Sequence, residues 1–118
     1  MDSAKEEELL FMAKKAYEDG FYEVSLGMLE RFRRDFPNAP KVFQATLLSG
    51  QCYFYQCRYL EALNIFEALE GNPGPVDFKD VLYFWLGEVH FKGGNLEKAA
   101  AYYQKLIGSF PQSALVPA

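Results

Sequence analysis

The sequence predicts an all-α fold: a right-handed α-solenoid of three helix-turn-helix repeats, about six antiparallel helices in all. Three observations predict it. Landmark residues recur at a constant 37-residue offset: Gly20, Cys57 and Gly94; Tyr22, Tyr59 and Leu96; Ser25, Ala62 and Ala99; Leu29, Phe66 and Tyr103. Apolar residues between these landmarks step by three and four, as one-sided helices require. Glycine and proline interrupt that pattern at matching places. Such a period marks a stacked array, in which no unit can bury its apolar face alone.

The first helix is expected from Ser3, as N-cap, to Asp19, with Glu6, Glu7 and Glu8 in its opening turns, where the helix dipole favours them. Leu9, Met12, Ala13 and Ala16 form its apolar stripe, and the two alanines let the next helix approach closely. Gly20 ends it. The second helix runs from Tyr22 to Asp35 with Leu26, Leu29 and Phe32 inward, and Pro37 and Pro40 stop it.

The third helix begins near Pro40, carries Leu47, Gly50 and Tyr53 toward its partner, and breaks at Gln56 to Arg58. Gly50 costs about 1 kcal/mol against alanine there, which close helix packing would offset. Tyr59 to Glu70 forms the fourth helix, with Ala62, Phe66 and Leu69 on one face. Gly71 to Pro75 reads as a loop, since the period continues undisturbed across it. Tyr83 to Pro111 is the clearest copy, with Leu86-Gly87 on the fifth helix, a Gly93-Gly94-Asn95 break, and Ala99 and Tyr103 on the sixth. The repeats span about residues 6–39, 43–76 and 80–113 of one array. The tail from Gln112 parallels the opening of repeat two and reads as the start of a fourth unit, so the chain is expected to be a piece of a longer protein.

Composition narrows the function. Half of the 118 residues are hydrophobic and 17% aromatic, enough for a continuous core. A net charge of −4 gives no general attraction for nucleic acid, and the one dense basic run, Arg31, Arg33 and Arg34, ends a helix. No apolar run is long enough to cross a membrane, and the N-terminus lacks a signal-peptide layout. Cys52 and Cys57 lie about 7.5 Å apart along a helix axis, too far to pair easily, and read as two buried free thiols. His90, the single histidine, has no Cys/His cluster or Ser-His-Asp order around it. The glycine break lacks the strand and the Lys-Ser/Thr of a phosphate cradle. No cofactor, metal or catalytic residue is expected, so the chain reads as no enzyme.

The repeated residues resemble the tetratricopeptide repeat. Repeat three matches at Leu86, Gly87, Gly94, Ala99, Tyr103 and Pro111, repeat two at Gly50, Tyr53, Tyr59, Ala62 and Phe66, and repeat one at Ala13, Gly20, Tyr22, Leu29 and Pro37. Departures are His90 in an aromatic slot, Ser25 in an alanine slot, Gly74 in a proline slot, and a unit longer than the usual ~34 residues. The phrases RDFPNAP, YFWLGEVHF and AAAYYQKLIGSFPQS look like the BamD-like lipoproteins and the Tol-Pal-associated periplasmic protein of bacteria. That resemblance implies a scaffold in outer-membrane assembly, in the periplasm or at the outer membrane; without it the compartment is the cytoplasm.

The family resemblance further implies that first helices line a concave groove. Its slots fall on Leu10, Lys14 and Tyr17, on Leu47, Gln51, Phe54 and Tyr55, and on Phe84, Glu88 and Phe91, with Trp85 either projecting there or wedged between repeats. Rings of this kind suit a peptide or a partner helix, with Lys14 and Glu88 setting its orientation. The alternative is that several pack against the neighbouring repeat. Gln51 and Glu88 disfavour the carboxylate-clamp mode, which needs Lys and Asn. An oligomer through a bare C-terminal end (Tyr102, Ile107, Phe110) and an accessory domain of a larger enzyme are the competing readings.

Overall fold

The structure, a computed structural model, describes residues 3–71 and 78–116. Among these are six helices and no strand: α1 (Ser3–Glu18), α2 (Tyr22–Asp35), α3 (Val42–Tyr55), α4 (Tyr59–Gly71), α5 (Lys79–Lys92) and α6 (Leu96–Ser109). They divide into two compact units, Met1–Arg58 with α1 to α3 and Tyr59–Ala118 with α4 to α6. The expected second repeat therefore contributes one helix to each. Ser3 is the first residue of α1 rather than a described cap; of the expected Gly71 to Pro75 loop, Gly71 is the last residue of α4 and residues 72–75 lie outside the described residues.

The 37-residue offset reappears as a backbone conformation. Gly20, Cys57 and Gly94 all have positive φ, at 84°, 62° and 83°. In each case the next residue's N–H reaches back five residues: Phe21 to Ala16 (2.8 Å), Arg58 to Tyr53 (2.9 Å) and Asn95 to His90 (2.8 Å). This is the Schellman closure, which satisfies carbonyls left open at a helix end and needs a left-handed residue. Cys57 fills that place with a side chain, at a cost of roughly 1–2 kcal/mol relative to the right-handed form. It is exposed, unlike buried Cys52, which corrects the expectation of two buried thiols: the helix ends at Tyr55 and the turn lifts Cys57 out of the packed face.

In the first unit, Leu10, Ala13, Leu29, Phe32, Ala39, Ala45, Leu48 and Cys52 form the core. The inward stripe of α1 is turned from the expected one. Leu10 is 3% exposed and Met12 44%, because α1 is apolar on more than one side and α2 and α3 select the Leu10–Ala13 side. Ser25, in the alanine slot, is fully buried and donates its hydroxyl to the Ala13 carbonyl at 2.8 Å. A small side chain keeps the helices close, and that bond satisfies its polar atom.

The second unit centres on Ala62, Phe66 and Leu69 of α4, Leu82, Trp85, Leu86 and Val89 of α5, and Ala99 and Leu106 of α6. Trp85 stacks on Phe66 with centroids 6.2 Å apart. Gly87 is required by contact, since a Cβ there would stand 2.5 Å from the Tyr103 ring. His90 stacks on Tyr102 at 5.7 Å with planes 5° apart, and so packs as an aromatic ring would.

The turn after α6 copies the turn after α2. Phe36 and Phe110 leave their helices at φ −131°, ψ 57° and φ −135°, ψ 59°. The bonds Ala39 N–H to Phe36 O (3.1 Å) and Val42 N–H to Ala39 O (3.0 Å) recur as Ser113 to Phe110 (3.0 Å) and Val116 to Ser113 (3.1 Å). Ser113 Oγ also donates to Asp80 Oδ2 at 2.7 Å, which ties this turn to α5.

Candidate interaction surface

The first-helix positions expected to face a partner separate by exposure. Lys14, Tyr55 (49%) and Phe91 (54%) are exposed, Tyr17, Gln51, Phe84 and Glu88 are half-buried, and Leu10, Leu47, Phe54 and Trp85 are buried. The last four correct the expectation of projecting side chains. Leu10 is held in the core of the first unit, and Trp85 lies between Phe66 and Phe84, so its wedged alternative is the one found. Leu47 and Phe54 are 5% and 6% exposed, which leaves almost no side-chain area for a partner.

In the first unit the remaining residues form one patch. Gln51 Nε2 donates to Tyr17 Oη at 2.8 Å, and Tyr17 meets Tyr55 edge-on with centroids 6.0 Å apart. Tyr22, from α2, completes it by stacking on Tyr55 at 5.7 Å. Burial, the largest cause, pushes the Tyr17 hydroxyl up to about 12, so it stays protonated and keeps a proton to donate. Tyr22 was not anticipated as a surface residue. Its signal was present in its slot, shared with Tyr59 and Leu96 at the head of each second helix.

In the second unit Phe84, Glu88 and Phe91 share one side of α5 at steps of four and three. Glu88 is not simply a free charge: its Oε2 accepts from Tyr103 Oη at 2.5 Å, and the same contact keeps Tyr103 against Gly87. Burial, then this bond, raises the Tyr103 hydroxyl above its ordinary range. One carboxylate oxygen therefore positions a ring.

Chemistry finds little to work with. Among the described residues no group of three or more His, Cys, Asp and Glu could hold a metal. His90 Nε2 is buried without a hydrogen-bond partner there, and burial holds its imidazole below the ordinary 6.5. An open cavity of about 940 Å³ on a further side of α1 and α2 is lined by Leu9, Met12, Val24, Gly27 and Met28, with Lys5 and Glu8 among its charged neighbours. No described helix is long and apolar enough to cross a membrane.

Two family models, each described as tetratricopeptide repeat, match residues 12–75 and 81–113. No curated protein matches the chain.

Proposed function

Because the chain belongs to the tetratricopeptide repeat family, whose repeats generally mediate protein–protein interaction and are typically non-enzymatic scaffolds, we propose that it captures a peptide or helix on the aromatic faces of its first helices. Its three units are taken as 6–39, 43–76 and 80–113. The observation that carries the reading is the exposure of a first-helix ring in each unit, Tyr55 on α3 of the first and Phe91 on α5 of the second. Rigid rings give contact area at small entropic cost. The one imidazole, His90, is stacked on Tyr102 and buried, as a packing residue of a scaffold is.

Phe54→Ala would be a folding variant here, so the test uses Tyr55→Ala with Phe91→Ala. Partner capture, followed by cross-linking and mass spectrometry, is expected to be lost while circular dichroism stays helical. Undiminished capture would remove the groove reading. The finer placement, in bacterial envelope assembly beside the BamD-like proteins, rests on the phrases at 34–40, 83–91 and 99–113. Fractionation of the native protein into cytosol and periplasm tests it.

A second reading, assembly through the C-terminal end, is favoured by one observation. Ile107 is 48% exposed. Tyr102, bonded to Glu70 at 2.8 Å, and Phe110, against Tyr83, are half-buried rather than bare.

A further inference from the structure

We infer that His90 is an acid-sensitive latch inside the second unit: on gaining a proton it takes the Glu70 carboxylate of α4 away from Tyr102 and Lys105 of α6. The end of α4 then loosens from α6 in acid while the α5–α6 hairpin stays folded. The device lies in the packing of these three helices and is independent of the partner-binding reading.

Packing alone does not call for histidine at this slot. The 37-residue offset places Ala16 and Tyr53 at the equivalent positions of the earlier repeats. Tyr53 shows that a ring without a titratable nitrogen fits there, and the Arg58 guanidinium lies over it, 4.7 Å from the centroid. His90 supplies the same flat surface, stacked on Tyr102 at 5.7 Å with planes 5° apart. It adds a ring nitrogen, Nε2, that is buried without a hydrogen-bond partner among the described residues. Neutral imidazole can carry its proton on Nδ1 and leave Nε2 a bare lone pair, which an apolar site tolerates. Imidazolium carries N–H on both nitrogens, and a buried, charged N–H without an acceptor is costly.

The carboxylates that act on the ring belong to α4. Glu67 and Glu70 favour the protonated form and Lys98 of α6 opposes it, while burial, the largest influence, holds the imidazole below its ordinary 6.5. Glu67 is exposed and Glu70 half-buried. Glu70 is already engaged: its Oε1 accepts from Tyr102 Oη at 2.8 Å, and its Oε2 lies 3.9 Å from Lys105 Nζ. Lys105 also lies over the rings of Tyr102 and Tyr83, 5.0 and 5.7 Å from their centroids. Glu70, Tyr102 and Lys105 thus make one polar connection between α4 and α6, and its central ring is the one on which His90 stacks. A cation on His90 competes with Lys105 for that carboxylate and prevails because it is the more deeply buried of the two, where charges attract more strongly. Lys105, 54% exposed, then turns to water. The Phe66–Trp85 stack, one turn before Glu70, keeps the rest of α4 in place and confines the change to its end.

The test is an NMR titration of the full chain from about pH 7.5 to about pH 5, with the histidine ring and glutamate carboxyl carbons labelled. The Glu70 carboxyl carbon is expected to move with the midpoint of the His90 ring, and to stay still over that range in His90→Phe, which keeps the stack. Tyr102→Phe, a neutral change that preserves the ring, should raise the His90 midpoint by roughly half a pH unit, since Glu70 no longer has a hydroxyl to leave. Glu70→Gln should lower it by a similar amount. Circular dichroism should stay helical across the range. A His90 midpoint that neither variant moves, a Glu70 carboxyl that does not follow the ring, or an imidazole that stays neutral throughout overturns the proposal. So does loss of the helices of the whole unit in place of a change confined to the end of α4.

Discussion

The two units are built from the same hairpin but complete it on opposite sides. In the first, α3 covers one side of α1 and α2, and the other side is the open cavity at Met12, Val24 and Met28. In the second, α4 fills the side equivalent to that cavity. Phe66 stacks on Trp85 there, and Glu70 bonds Tyr102 at 2.8 Å and approaches Lys105 at 3.9 Å. No described helix of the second unit covers the side equivalent to the α3 contact. One hairpin thus has two sides, each covered by a described helix in one unit and open in the other. The first unit's open side mixes Leu9, Met12, Val24 and Met28 with Lys5, Glu8, Glu23 and Arg31, and the second unit's shows Phe91, Leu96 and Ile107 beside Glu97.

Four substitutions test this comparison, from the largest expected effect to the smallest. Phe66→Ala removes a fully buried ring from the α4–α5 contact and is expected to destabilise by about 3–5 kcal/mol in urea unfolding. Leu29→Ala, at the slot one 37-residue offset earlier and in the α2–α3 contact of the first unit, should cost about 2–5 kcal/mol; a negligible loss at either site would show that the helix contact there is not the one described. Gly87→Ala drives a methyl into the Tyr103 ring, and overpacking of that kind costs about 1–3 kcal/mol. Adding Tyr103→Leu should recover part of it, while an unchanged midpoint in Gly87→Ala would deny the close approach. Cys57→Gly relieves the one non-glycine left-handed residue among those described and is expected to raise stability by about 1 kcal/mol or less, the gain being offset by glycine's entropy.

The smallest effect is in pH. His90 is held below 6.5 by burial first and by Lys98 second, with Glu67 and Glu70 opposing. A depressed histidine is neutral in the fold while the unfolded chain still binds the proton. Stability is therefore full above the unfolded value near 6.5 and falls as pH drops from there toward the folded value. His90→Phe keeps the stack on Tyr102 and should flatten the change in unfolding midpoint between about pH 7 and 5 relative to the parent. An identical slope in the variant would assign that dependence to other groups.

The helices, their hairpin ends and the repeated left-handed turn were all legible in the sequence, because glycine, proline and apolar spacing act locally. Cys57 could be aligned with Gly20 and Gly94 from the offset alone, and the backbone agrees. The inward face of the first helices was not legible. Leu10 and Met12 are both apolar and two residues apart, and only the positions of α2 and α3 bury one and leave the other at 44%. Ser25 likewise read as a departure until the Ala13 carbonyl was seen to accept its hydroxyl.

Sequence by itself determined the all-α repeat class and the spacing of its turns, since both follow from steric rules within a few residues. Tertiary structure decided which rings are core and which are surface. A helix touched on two or three sides needs apolar residues around most of its circumference, so periodicity announces the helix without naming its free face. Trp85 and Phe91 illustrate the result: both aromatic, on one helix, yet 9% and 54% exposed, because Phe66 covers the first and no described helix of the second unit covers the second.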